Sequence, residues 1–106
     1  MNNNKYKLPG KVADGIFIYK AGYIKQVIYN NPATIVIWDD NTKTICKCSE
    51  KDTYNTTTGL LLCIMKRLNG VMNTDIKEVL NAWLPDNENI GNTVVTLKDV
   101  RKKYNK

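Results

Sequence analysis

Few side chains in this sequence are of the types that usually carry out chemistry. The chain contains three cysteines, 10 acidic residues and no histidine. Without histidine, the commonest general base and nucleophile partner is missing. Cys63 lies inside an apolar run, where a cysteine is more often a small buried hydrophobe than a nucleophile. The side chains therefore favour a protein that is not an enzyme.

The possible metal ligands have unsuitable numbers or spacing. The three cysteines supply at most three thiolates, whereas a structural zinc ion takes four ligands. Asp39 and Asp40 fall at a predicted turn, where aspartate is common, and with Asp52 they lack the carboxylate-x-lysine spacing of a metal-dependent nuclease. The glycines match no phosphate-binding pattern. We therefore expect no metal and no cofactor.

The cysteine count and the N-terminal residues bear on the compartment. An odd number of cysteines and no apolar stretch of signal-peptide type predict a reducing, intracellular setting. No run approaches the 18 or so apolar residues that a membrane span requires. We expect a protein that does not cross a membrane.

Positive charge is concentrated at the two ends of the chain. The net charge is +6, from 16 lysines and arginines against 10 aspartates and glutamates. Residues 1–29 hold five lysines and one aspartate, and residues 98–106 hold five cations and one aspartate. Basic ends favour nucleic acid or an acidic protein surface as a partner. The alternative is a solvated, lysine-rich surface that binds nothing.

The pattern of the chain predicts an arm followed by one domain. Residues 1–15 are expected to form a basic N-terminal arm, and residues 16–106 a single α+β domain. Runs rich in β-branched and aromatic residues predict a small antiparallel meander of three or four strands. The runs are Ile16–Tyr19, Tyr23–Tyr29, Thr34–Trp38 and Lys43–Cys48, with Thr93–Thr96 as a further short strand.

The turn at residues 39–42 decides which side chains of its hairpin face the core. An even number of loop residues would place Trp38 opposite Lys43. One face of the hairpin then carries Ile35, Ile37, Thr44, Cys46 and Cys48, and the other carries Val36, Trp38, Lys43, Ile45 and Lys47. The first face holds no charge and is expected to be the core. Trp38 is thus predicted to be an exposed aromatic between two lysines.

Two or three helices are predicted to pack on this sheet. Residues 60–68 are apolar nearly all round, which indicates a central buried helix with Asn55 or a nearby threonine as its N-cap. Apolar residues of 76–84 recur at helical spacing, and Trp83 on that stripe is predicted to lie in the core. Residues 96–99 resemble a capping box that opens a last helix. The predicted fold class is α+β.

Two basic groups are predicted to bind a partner. The first lies on the sheet, where an exposed tryptophan between lysines can stack on a base or anchor a protein contact. The second lies on one side of the last helix, where cations can contact phosphates. The alternatives are a tryptophan covered by the arm or the last helix, and a helix face that is merely solvated. The predicted contact residues are Trp38, Lys43, Lys47, Lys98, Arg101 and Lys102.

Residues 34–68 contain a motif of hairpin, acidic-aromatic turn, glycine and helix. The residues of the motif include Trp38, Asp40, Thr42, Lys43, Thr44, Cys48, Asp52, Tyr54, Asn55 and Gly59. In these residues the stretch resembles a widespread group of small phage and prophage proteins, whose pattern is V-x-x-W-x-D-G-T-K-T, then a cysteine, then D-x-[FY]-[DN]-x3-G and an alanine-rich helix. Asn41 stands where the group has glycine, and asparagine also tolerates the left-handed turn conformation. Leucines stand where the group has alanines in the helix.

The resemblance implies a phage origin, the cytoplasm of the bacterial host, and no enzyme activity. Small phage proteins without a catalytic constellation are often counter-defence proteins, of which anti-CRISPR inhibitors are the best-known kind. The expectation is a non-enzymatic counter-defence protein that binds a host defence nuclease complex, a CRISPR nuclease above all, and inhibits it sterically. Positive charge argues against a DNA mimic and suits an acidic protein patch, or the RNA or DNA that such a complex holds. The alternative is a basic nucleic-acid-binding phage regulator or accessory protein.

Overall fold

The fold is that of a computed structural model. The structure describes residues 16–49, 51–72, 76–85 and 92–104, so the predicted arm of residues 1–15 lies outside the described residues. Its elements, in chain order, are β1 (Ile24–Asn30), β2 (Ala33–Trp38), β3 (Lys43–Lys47), α1 (Thr56–Arg67), α2 (Ile76–Trp83), β4 (Asn92–Thr96) and α3 (Leu97–Tyr104). Within this part of the chain, no helix is long and apolar enough to cross a membrane.

The four strands form one antiparallel sheet in the order β3-β2-β1-β4. With three helices beside it, the sheet confirms the predicted α+β class. The strand predicted at Ile16–Tyr19 is wrong, because only Ile18 makes a bridge, to Gly22, inside a tight turn. Ile16 and Lys20 have left-handed φ angles of 68° and 69°, which an extended strand does not allow. The place beside β1 is taken by β4, which follows two helices later in the chain.

The β2–β3 hairpin has an odd loop, so the predicted register is wrong by one residue. Trp38 and Thr42 close the loop, with the Trp38 amide donating to the Thr42 carbonyl at 2.9 Å. The Asn41 amide donates back to the Trp38 carbonyl at 2.8 Å, and Asn41 has a φ of 69°. A type I turn followed by one left-handed residue is the usual three-residue hairpin loop. Ile37 consequently pairs with Lys43, and every side chain of β2 changes face.

The sheet has an inner face, which packs on the helices, and an outer face. Tryptophan buries more apolar area than isoleucine, so the register that places Trp38 inside is favoured. The side chains on the inner face include Ile24, Val27, Tyr29, Thr34, Val36, Trp38, Thr44 and Val95, all buried. From the helices, Leu60, Cys63, Ile64, Val79, Trp83 and Val100 join the same core, as predicted for Cys63 and Trp83.

Helix α1 packs closely on β2 because of Gly59 and the segment before the helix. The Asn55 side chain accepts a hydrogen bond from the Thr58 amide at 2.9 Å, which confirms Asn55 as the N-cap. The Tyr54 hydroxyl lies 3.0 Å from Thr34 Oγ1 and donates to the Ala33 carbonyl at 3.2 Å. A Cβ at Gly59 would overlap Thr34 Oγ1, so the absence of a side chain there lets α1 approach β2.

Helices α2 and α3 complete the inner layer. The Thr96 amide donates to Asp99 Oδ2 at 2.9 Å and the Asp99 amide donates to Thr96 Oγ1 at 3.4 Å, so the predicted capping box is confirmed. The Lys103 ammonium donates to the carbonyls of Asn81 and Leu84 and thereby satisfies the C-terminal end of α2. The polar loop between α2 and β4 lies mostly outside the described residues.

Candidate functional site

The outer face of the sheet carries a row of aliphatic side chains that crosses all four strands. Val94 pairs with Ile28, Ile28 with Ile35, and Ile35 with Ile45. None of these four residues belongs to the core cluster or packs against it. Ile45 and Val94, at the two ends of the row, are 47% and 45% exposed, whereas Ile28 and Ile35 between them are half-buried. Apolar side chains that reach the surface side by side are typical of an interaction surface. We call these four residues the apolar row.

Lysines border the apolar row at the β3 edge. Lys43 and Lys47 are exposed and alternate with the inward-facing Thr44 and Cys46, so they lie on the outer face beside Ile45. For these two lysines the predicted face is right. Their predicted companion is wrong, because Trp38 is fully buried on the inner face and its indole nitrogen donates to Thr44 Oγ1 at 2.9 Å. On β2, Lys43 pairs with Ile37 and Lys47 pairs with Ala33 instead.

The basic residues predicted on the last helix are exposed but lie elsewhere. Lys98, Arg101 and Lys102 follow i, i+3, i+4 spacing on α3 and share one side of that helix. Helix α3 follows directly from β4, which is the opposite edge of the sheet from β3. The structure therefore does not bring the six predicted contact residues together. It separates two basic groups, one at each edge.

Arg67 links several elements of the fold, although the sequence indicates only that it lies near the end of a helix. Its guanidinium lies 4.8 Å from the centroid of the Trp38 ring, a cation–π distance. Its nitrogens also donate to the Ala21 carbonyl at 2.9 Å, to Thr42 Oγ1 at 2.7 Å and to Asp40 Oδ2 at 3.2 Å. One side chain thus ties α1 to the hairpin loop and to the turn before β1. Of the two aspartates at the loop, Asp40 belongs to this network.

The free energy of unfolding is expected to fall at acidic pH because the Asp40 carboxylate becomes protonated. Hydrogen bonds from the Thr42 hydroxyl and amide, helped by Arg67, lower the pKa of Asp40 from 3.8 to about 2. A folded-state pKa below the ordinary value means that the stabilisation is present above about pH 4 and is lost as the pH falls through about 2. We expect the wild-type free energy of unfolding to fall more steeply over this window than that of Asp40→Asn. Urea denaturation at a series of pH values measures both.

A companion variant checks the cause of this pH dependence. Thr42→Val removes the hydroxyl that donates to Asp40 and should raise the pKa of that carboxyl toward its ordinary value. Its stability curve should therefore fall less steeply than that of the wild type. Parallel curves for wild type, Thr42→Val and Asp40→Asn would contradict the assignment.

Cys63 is held in a way that does not favour nucleophilic chemistry. Burial, reinforced by Cys46 nearby, raises the pKa of the Cys63 thiol to about 12, so the thiol stays protonated near neutral pH. It donates weakly to the Thr34 carbonyl at 3.3 Å. Cys48 Sγ lies 3.3 Å from the Asp52 carbonyl. Among the described residues, no group of three or more cysteines, aspartates or glutamates is placed to hold a metal ion.

Comparison with known proteins gives no further assignment. No protein-family model, no curated protein and no solved structure matches this chain. The outer face and its lysines are therefore interpreted from their own geometry.

The sequence analysis does not predict the apolar row, because the row forms only if the hairpin loop has an odd number of residues. With an even loop, Ile35 would point into the core and no row would form. The signal in the sequence is Asn41, which ends the loop and has a φ of 69°. A residue suited to a left-handed conformation at the end of a hairpin loop indicates three loop residues.

Proposed function

We propose that this chain is a non-enzymatic protein that binds another protein through the outer face of its sheet and inhibits it sterically. The observation that carries the proposal is the apolar row, which crosses all four strands and belongs to no core. Lys43 and Lys47 at one end of the row favour a partner with an apolar centre and acidic groups at its border. The chemistry of the buried Cys63 and of the bonded Asp40 is in line with a role that does not involve catalysis.

The class of partner in this proposal comes from the resemblance of residues 34–68 to phage and prophage proteins. On that ground the partner is a host defence nuclease complex in the bacterial cytoplasm, a CRISPR nuclease above all. Binding of a small rigid sheet over a substrate channel or a moving domain would block cleavage without any reaction at the inhibitor. The positive charge suits an acidic protein surface, or RNA held at such a surface.

The proposal is tested by inhibition of purified nucleases. DNA cleavage by a panel of CRISPR nuclease–guide complexes is measured against rising concentrations of the wild-type chain. In the variants Ile35→Glu and Val94→Glu an acid enters the apolar row, and each should raise the concentration for half-inhibition by about tenfold or more. Circular dichroism and thermal unfolding establish that both variants fold.

A matched variant separates the outer face from exposed apolar side chains in general. Val71 is 67% exposed, follows α1 and does not belong to the apolar row, so Val71→Glu should inhibit like the wild type. If no complex is inhibited, or if Val71→Glu weakens inhibition as much as Val94→Glu, the proposal is wrong.

Nucleic-acid binding is a second candidate, favoured by the cations of α3. Lys98, Arg101 and Lys102 are exposed on one side of a helix, an arrangement that can contact successive phosphates. Gel-shift titrations with bare duplex DNA and single-stranded RNA at several salt concentrations test it. The slope of log affinity against log salt should lose about one unit for each of the three cations replaced by glutamine. A Lys43→Gln, Lys47→Gln control should leave that slope nearly unchanged, and absence of a shift at low salt would exclude this function.

A further inference from the structure

The β3 edge of the sheet presents backbone groups that pair with no other strand among the described residues. Among the described residues, β3 pairs only with β2. The Trp38 amide donates to Thr42, and the Cys48 amide donates to Pro32, at the two ends of the hairpin. Hydrogen-bonded pairs alternate with non-bonded pairs along an antiparallel ladder, so Thr44 and Cys46 direct their backbone groups toward β2. The amides and carbonyls of Lys43, Ile45 and Lys47 therefore point away from the sheet.

One contact supports this orientation independently. The Lys66 ammonium, on α1, donates to the Ile45 carbonyl at 3.1 Å. A side chain outside the sheet can reach that carbonyl only because it faces the open edge. A carbonyl oxygen has two lone pairs, so a second donor can still bind it.

A shallow, open and largely apolar depression lies between this edge and α1. It has a volume of about 610 Å³ and is lined by Ile45, Lys47, Leu62, Met65 and Lys66 among others. Leu62 is 48% exposed although it lies on the helix that forms the central core. We call this space the β3 groove. An open strand edge beside an apolar helix face is the arrangement that binds extended peptides by strand addition.

Charge and side-chain alternation specify the peptide. Alternate residues of an added strand would point toward α1 and meet Leu62 and Met65, which favours apolar side chains there. The residues between them would lie on the outer face, next to Lys43 and Lys47, which favours acidic side chains. The groove at the β4 edge is lined by Asp99 as well as by Lys102 and Lys103. The β3 groove is lined by lysines and by no acidic side chain, so it suits an acidic strand better.

We propose that β3 binds an extended segment of a partner protein, alternately apolar and acidic, as a fifth strand of the sheet. This inference rests on the proposed function, because it specifies how a protein partner is held. It adds a second contact to the apolar row, since the added strand would extend the outer face beyond Ile45.

The test uses a defined peptide. The probe is a fluorescently labelled peptide of about seven residues that alternates valine and glutamate, which is long enough for one strand. A control peptide has lysine in place of glutamate. Fluorescence anisotropy should show binding of the first peptide and at least about tenfold weaker binding of the second. Equal binding of the two peptides would overturn the proposed charge preference.

Amide hydrogen exchange identifies the edge that binds. With the acidic peptide, exchange at Lys43, Ile45 and Lys47 should slow by about tenfold or more, because these amides gain partners. Exchange at Thr44 and Cys46, already bonded to β2, should change little. Slowing at β4 instead of β3 would overturn the proposal. Slower exchange at β3 in the absence of peptide, if it increases with protein concentration, would also overturn the proposal. The edge would then bind a second copy of the chain.

Variants of the Ile45 amide and of the β3 groove provide a second test of strand addition. Ile45→Pro removes an amide that makes no bond to β2, and Ile45→Ala removes the side chain but keeps the amide. The proline variant should bind the peptide about tenfold more weakly than the alanine variant. If the proline variant does not fold, Leu62→Glu decides, because an acid in the groove should weaken binding by a similar factor. Equal binding by Ile45→Pro and Ile45→Ala, or an unaffected Leu62→Glu, would overturn the proposal.

The proposed function and this inference fail in distinguishable ways. Val94→Glu lies on the outer face at the opposite edge, so it should weaken nuclease inhibition and leave peptide binding unchanged. Peptide binding at β3 without inhibition of any nuclease would contradict the proposed function and support strand addition. Inhibition of a nuclease without peptide binding would support the proposed function and contradict strand addition.

Discussion

Replacing Trp38 with alanine is expected to destabilise the fold by about 3–5 kcal/mol. The indole is fully buried on the inner face, its nitrogen donates to Thr44 Oγ1 at 2.9 Å, and the Arg67 guanidinium lies over its ring. Alanine would leave a large cavity, an unsatisfied hydroxyl and a cation without its aromatic partner. Urea denaturation of wild type and variant measures the difference in the free energy of unfolding.

The variant Trp38→Phe separates the hydrogen bond from the ring. Phenylalanine keeps an aromatic face for Arg67 and most of the apolar volume but has no donor for Thr44. Its cost should be smaller, about 1–3 kcal/mol. If Trp38→Ala costs less than about 0.5 kcal/mol, as surface substitutions do, the indole is exposed and the hairpin has the even loop.

The elements that the sequence predicts well are those decided by neighbouring residues. The Asn55 cap, the Thr96–Asp99 box and the apolar stripe that buries Trp83 each lie within one or two turns of helix. In the same way, the β-branched runs of β1 and β2 are recognised from their own composition. Such signals require no knowledge of distant parts of the chain, and the α+β class follows from them.

The hairpin register was decided by the conformation of a single residue. Whether the loop has two, three or four residues depends on whether Asn41 adopts the left-handed conformation, with its φ of 69°. The hairpin face that holds no charge, which includes Ile35 and Ile37 in the even-loop register, is therefore predicted to be the core side of β2. The lysines on β3 do not determine which side chains of β2 face the core. Burial of the large apolar area of the Trp38 indole does. The exposed position of Lys43 and Lys47 was predictable because burial of either charge would be costly.

The pairing of β1 with β4 and the contacts of Arg67 were beyond local reasoning. β4 is separated from β1 by two helices, and a short strand does not reveal its partner. The apolar run at residues 16–19 has the composition of a strand, and the left-handed φ angles of Ile16 and Lys20, with the isolated Ile18–Gly22 bridge, show that it is a turn. Arg67 contacts residues as distant as Ala21, |i−j| = 46, which only the assembled fold brings near.

Replacing Gly59 with alanine is expected to destabilise the protein by about 1–3 kcal/mol. At an exposed helix position the same change stabilises by up to about 1 kcal/mol, so the expected sign is reversed. A Cβ at this position would overlap Thr34 Oγ1 and stand 2.9 Å from Thr34 Cβ. Thr34 is buried in the second strand of a paired sheet, and rotation of its side chain moves only the oxygen and the methyl group. Either α1 or β2 must therefore shift.

A control and a double variant separate this clash from helix propensity. Thr58→Ala introduces alanine in the same turn of α1 at an exposed position, and should change stability by less than about 0.5 kcal/mol. Thr34→Ala removes the overlapping oxygen but also a hydrogen-bond partner of the Tyr54 hydroxyl, 3.0 Å away. Gly59→Ala combined with Thr34→Ala should cost less than the sum of the two single variants, by about 1 kcal/mol. Additive costs would mean that the helix does not approach β2 at Gly59, and that the glycine of the phage-like pattern is not needed to dock α1.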